Sequence, residues 1–93
     1  MIVRFSYKAQ ADIQSIYEFI AAHNQTAAGR VVSVIEQTTK RLADFPLSGR
    51  AGAIELTREL VIPRLPYIAV YRLNGGVVEI IAVFHAAQDL PRG

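Results

Sequence analysis

The residues able to do chemistry are mostly arginines. Eight Arg stand against two Lys in 93 residues. A guanidinium is a planar fork of donors that matches a carboxylate or phosphate, whereas an ammonium is a point charge. Arg50, Arg58, Arg64 and Arg72 fall in or near the stretch 57–72, with Glu59 and Glu79 close in sequence. His85 ends a later apolar run, and imidazole titrates near neutrality, so it is the natural acid or base. Fixed positive charge with one imidazole can hold an anion and move a proton. Each residue also has a plain structural role open to it. His85 can bond to nearby backbone at a strand end. Arg72 and Glu79 can pair across strands. Arg58 with Glu59 can be ordinary surface charge, and Arg50 can cap the last carbonyls of a preceding helix. Tyr67 and Tyr71 can be core aromatics.

Two strands joined by a corner must position this set. Val, Ile, Leu and Tyr dominate 57–72, as on half-buried pleated surfaces. Pro63 and Pro66 bracket the corner, because a residue without an N–H cannot serve a central ladder. The spacing predicts strands over 54–62, 67–73 and 77–85, with Asn74-Gly75 as a two-residue hairpin turn. Upstream, 2–5 reads as a short first strand and Ser6 as a helix N-cap. Ala9, Ile13, Ile16, Tyr17 and Ile20 then recur at helical spacing, until His23-Asn24 breaks the pattern. Ala28, Val31, Ile35, Thr38, Leu42 and Phe45 form a second stripe over 26–45, capped by Asn24 or Thr26 and closed by Pro46. The short link between the helices makes them an antiparallel hairpin. Residues 47–52 read as a loop, and 86–93, with Pro91 and Gly93, as an irregular tail. The expected architecture is α+β, in the order β-α-α-β-β-β: an antiparallel sheet with a helical hairpin on one face, as a single domain over 1–93.

Composition narrows the function classes. There is no cysteine, so neither a disulfide framework nor a thiolate metal site is possible. His23 and His85 lie far apart, which argues against a histidine metal site, and no cofactor is expected. A net charge of +2 argues against broad capture of nucleic acid. Residues 1–5 are too short for a signal peptide, and no apolar run approaches the roughly 20 residues of a membrane helix. A soluble cytoplasmic protein is expected. A hydrophobic content of 52% is high for this size and suggests surface that a partner covers.

The alternation of the last two strands assigns their faces. Tyr67, Ala69, Tyr71 and Leu73, with Val78, Ile80, Ala82 and Phe84, should meet the helices. Ile68, Val70 and Arg72, with Val77, Glu79, Ile81, Val83 and His85, form the other face, with Arg72 and Glu79 diagonally adjacent. Two helices cover only one side, so this apolar, Arg- and His-bearing face reads as a binding surface.

The local motifs resemble the RelE/ParE family of bacterial toxins. Ser6-Tyr7-Lys8-Ala9 with Asp12-Ile13 and Ile16-Tyr17 is similar to the family's opening. Phe45-Pro46-Leu47-Ser48-Gly49-Arg50 is similar to its helix-end loop. Arg58-Glu59-Leu60, Pro66-Tyr67 and Val70-Tyr71-Arg72 resemble its central strands, and Val83-Phe84-His85 with Asp89 its ending. The resemblance implies the toxin of a type II toxin–antitoxin pair, held inactive by a co-encoded antitoxin. The antitoxin contact would fall on Ile68, Val70, Arg72, Ile81, Val83 and His85.

Two activities follow from the resemblance. RelE-like members cleave mRNA in the ribosome; here His85 would be the acid or base, Arg58, Arg64 and Arg72 would hold phosphate, and Glu59 would orient one of them. ParE-like members instead poison DNA gyrase by binding it. Ribosome-dependent members tend to be strongly basic, but this chain has no lysine after Lys40 and a low net charge. The ParE-like reading is therefore preferred, with the mRNA endoribonuclease as the alternative. An inactive toxin or a small binding module is a further alternative.

Overall fold

The computed structural model describes residues 1–87. The expected features of the tail beyond that point, with Asp89, Pro91 and Gly93, lie outside the described residues. Within them the chain forms β1 (Ile2–Phe5), α1 (Tyr7–Ala21), α2 (Gln25–Lys40), a 3₁₀ turn (Arg41–Ala43), β2 (Arg50–Ala51), β3 (Arg58–Val61), β4 (Tyr67–Asn74) and β5 (Val77–His85).

Local chemistry sets the helix ends. The Ser6 hydroxyl accepts from Ala9 N at 3.0 Å, and the Asn24 side chain accepts from Ala27 N at 3.0 Å. Each satisfies one of the amides that a helix start leaves without a partner. The second helix is shorter than its stripe predicts. After Lys40 the chain tightens into the 3₁₀ turn, which buries Leu42 but leaves Phe45 67% exposed. Thr39, not Thr38, is the buried threonine, and its hydroxyl donates to the Ile35 carbonyl at 2.9 Å.

The strand order is β1-β5-β4-β3-β2. The sheet is mixed, not wholly antiparallel, because β1 lies parallel to β5, with Ile2 opposite Val77 and Phe5 opposite Ile80. The reason is the direct passage from β1 into α1. Ser6 N donates to the Ile80 carbonyl and Ser6 Oγ to the Ile81 carbonyl, both at 2.9 Å. With the start of α1 pinned to β5, the strand before it can only lie alongside β5.

Residues 50–51, expected in a loop, form the two-residue strand β2 against β3. The strand expected over 54–62 is correspondingly shorter, since 54–57 turn. The hairpin also differs in register. Asn74 pairs with Val77, so Gly75-Gly76 makes the turn, with φ +61 at Gly75. Glycine takes that angle without steric cost, and Asn74 stays in the strand. Arg72 therefore stands directly opposite Glu79, not diagonal to it. One core fills the space between helices and sheet, built on Ala9, Ile35, Leu42, Tyr71, Val78 and Ile80.

Candidate functional site

A break in the β4–β5 ladder decides where the candidate residues point. Tyr71 pairs with Ile80, yet Val70 pairs with Ala82, so Ile81 is an extra residue. Such a bulge reverses which side chains share a face beyond it. Two residues of the α1 region hold it. Ser6 Oγ donates to the Ile81 carbonyl at 2.9 Å, and Val83 N donates to Asp12 Oδ2 at 2.9 Å.

The bulge corrects the expected binding face. Val83 pairs with Ala69, and His85 with Tyr67. Both therefore lie on the helical side, not with Ile68, Val70 and Arg72. Val83 is 3% exposed and belongs to the core. The His85 and Tyr67 rings meet edge to face at 5.5 Å, and His85 Nδ1 accepts from Ala87 N at 3.1 Å. These two residues line a cleft of about 410 Å³ with Asp12, Ser15, Ile16 and Phe19 of α1. The opposite face is also less open than expected. Ile68 and Val70 are 7% and 6% exposed, and the loop carrying Ile54 and Leu56 borders a groove beside Val70, Arg72 and Ile81.

Arg58 and Arg72 do not gather around His85. Arg58 Nη1 donates to the Gly49 carbonyl at 2.8 Å and to the Leu47 carbonyl at 3.4 Å. It thus ties the loop after α2, and Arg50 does not cap the last carbonyls of that helix as expected. Arg50 instead pairs with Glu59 at 3.2 Å, and the buried Glu59 also accepts from Ala53 N at 3.0 Å. Arg72 Nε donates to Glu79 Oε1 at 2.8 Å. Arg58 faces the helices opposite Tyr71, and Arg72 faces away from them. Arg72 also stands five residues along β4 from Tyr67, about 17 Å from the His85 end at about 3.3 Å per residue. Arg64 sits in the corner between β3 and β4, where Leu65 N closes back on the Ile62 carbonyl at 3.3 Å. Its φ is +66, an angle that costs a non-glycine residue about 1–2 kcal/mol.

The loop between the 3₁₀ turn and β2 is locked to Tyr71. Its hydroxyl accepts from Gly49 N at 2.9 Å and donates to the Pro46 carbonyl at 2.8 Å. A Cβ on Gly49 would lie 2.6 Å from the Tyr71 ring and hydroxyl, so this position admits only glycine without movement. The Pro46…Gly49 motif and the Tyr71 motif are two halves of one structure. One surface residue had no signal in the sequence. Leu56 is 88% exposed at φ +66, in a turn where glycine or asparagine is the usual choice. Nothing in Ile54-Glu55-Leu56-Thr57 marks it except the absence of those residues.

Residues 3–90 match the family model described as the ParE toxin of the type II toxin–antitoxin system parDE. The chain is 40% identical over 90 residues to toxin Y4kP of Sinorhizobium fredii, covering 97% of this chain and 93% of that protein. It is 30% identical over 86 residues to toxin RelE2 of Caulobacter vibrioides, covering 92% and 96%. Among solved structures, it is similar to a chain of the chromosomal ParDE system from P. aeruginosa. The TM-score is 0.82 at 25% identity, over 91% of this chain and 95% of that one.

Proposed function

The chain belongs to the ParE toxin family of type II toxin–antitoxin systems, and on that premise we propose that it arrests growth by binding DNA gyrase, not by cutting mRNA. It is a toxin component, and its partner is a co-encoded antitoxin that neutralises it. The observation that carries the proposed mode of action is the dispersal of the cations. Phosphodiester cleavage needs an acid, a base and phosphate-holding cations around one reacting centre. Here Arg58 and Arg72 lie on opposite faces of the sheet. His85 stands with Tyr67 at the far end of the sheet. A toxin whose described residues assemble no cleavage site acts by occupying a target surface. The site of action is the cytoplasm, where gyrase works on DNA. Among the described residues no helix is long and apolar enough to cross a membrane.

The test is a pulse-labelling time course. The chain is induced in bacteria without antitoxin while DNA and protein synthesis are followed in the same culture. DNA synthesis should fall first, with protein synthesis outlasting it. Protein synthesis stopping within minutes while DNA synthesis continues would establish the ribosomal nuclease instead.

A further inference from the structure

The loop from β2 to β3 is fastened at both ends and carries an apolar side chain at its tip. Gly52 N donates to the Thr57 carbonyl at 2.8 Å, and Ala53 N is held by the buried Glu59. Thr57 closes the turn, since its N–H and its hydroxyl both donate to the Ile54 carbonyl. That closure holds Leu56 at φ +66 with its side chain 88% exposed. A strained backbone that shows a leucine to solvent gains nothing within the chain from that leucine. Strain of this kind persists where the surroundings over-determine it, and it gathers at functional sites.

The neighbourhood says what would fit there. Leu56 lines a groove with Leu47, 64% exposed, and Leu73, 37% exposed, with Arg58 in its wall. Arg58 is fixed by one nitrogen only, through the Leu47 and Gly49 carbonyls. Its Nη2 and Nε have no partner among the described residues, and no carboxylate pairs with it. A guanidinium held in place with two nitrogens open is a preformed fork for a carboxylate. Three exposed leucines beside it call for apolar side chains on the same ligand. Nucleic acid offers the anion without the apolar face; an amphipathic acidic peptide offers both.

We propose that the groove of Leu47, Leu56 and Leu73 with the Arg58 guanidinium docks an acidic amphipathic segment of the antitoxin, with Leu56 as its anchor. The assignment rests on the toxin–antitoxin reading above. Leucine at this turn position serves the partner, at a cost to the turn.

The test uses the full chain and the full product of the reading frame beside its gene. Leu56→Asn suits the left-handed backbone, so its melting temperature should be no lower than that of the unaltered chain. Its dissociation constant, by titration calorimetry, should rise at least tenfold. Leu47→Ser should weaken binding in the same direction. Tyr7→Ser removes an aromatic ring that is 91% exposed at the start of α1, away from the groove, and should leave binding within twofold. Unchanged affinity in Leu56→Asn, or an equal loss in Tyr7→Ser, overturns the surface and leaves the toxin–antitoxin reading standing. A concentration-dependent dimer of the chain alone that Leu56→Asn abolishes assigns the groove to a second copy and overturns the antitoxin as its occupant. If the unaltered chain does not bind the neighbouring product and cells expressing it grow normally, the toxin–antitoxin reading falls and the surface with it.

Discussion

The carboxylate of Asp12, in the second turn of α1, accepts a hydrogen bond at 2.9 Å from the backbone N–H of Val83, 71 residues further along the chain. This bond fastens a helix to the strand just past its bulge, where the ladder to β4 is disturbed. Asp12→Ala leaves that amide without its acceptor in a partly buried place. The expected cost is about 1–3 kcal/mol, or a fall of roughly 4–8 °C in melting temperature for each kcal/mol. Asp12→Asn keeps an acceptor and should lose less. The Lys8 pair with Asp12 is exposed and adds little. Hydrogen exchange at the Val83 amide is the direct check: protection should collapse in the alanine variant.

Tyr71 is fully buried, and its hydroxyl serves two backbone groups of the 46–49 loop. Tyr71→Phe keeps the ring and removes both bonds. It should destabilise by about 1–3 kcal/mol in denaturant unfolding. Gly49→Ala should cost at least as much, because the new methyl displaces the same hydroxyl and also approaches the Glu59 carbonyl at 2.9 Å. A Gly49→Ala protein as stable as the parent would contradict the locked loop.

The Arg72–Glu79 pair is short but half in water, at 52% and 31% side-chain exposure. A double-mutant cycle to alanine should give a coupling below about 1 kcal/mol. A larger value would mean that the pair organises the hairpin end, not just its surface.

His85→Phe separates chemistry from packing. It keeps an aromatic ring against Tyr67 and removes the proton carrier. Growth arrest on induction should be retained in full. If arrest disappears while the variant stays folded and still binds the antitoxin, His85 is an acid or base, and the gyrase reading is wrong.

Several elements could be read from the residues alone because their causes are local. Ser6 and Asn24 are good N-caps, and the steps of three and four after them are helical. Pro46, Pro63 and Gly75 mark ends and turns for steric reasons visible one residue at a time. The bulge could not be read. Glu79-Ile80-Ile81-Ala82-Val83 holds neither Gly nor Pro, and the groups that support the bulge come from Ser6 and Asp12. Alternation read through that point carried Val83 and His85 to the wrong side. Arg50 and Arg58 failed in the same way, since a guanidinium's partner is chosen by the fold, whereas the Arg72–Glu79 pair was legible. Arg58 reaches back to Gly49, and Arg50 reaches forward to Glu59. The parallel seat of β1 likewise depends on a strand 75 residues away, as in the pair Ile2 and Val77.

That seat has a consequence for the timing of synthesis. β5 lies between β1 and β4, so the sheet cannot close until nearly the last described residues have been made. At about 5–20 residues per second, β1 waits roughly 4 to 15 seconds for its neighbour. Until then Ser6 and Asp12 have no strand to hold. In a member of a toxin family, the polypeptide therefore exists for seconds before its folded form does.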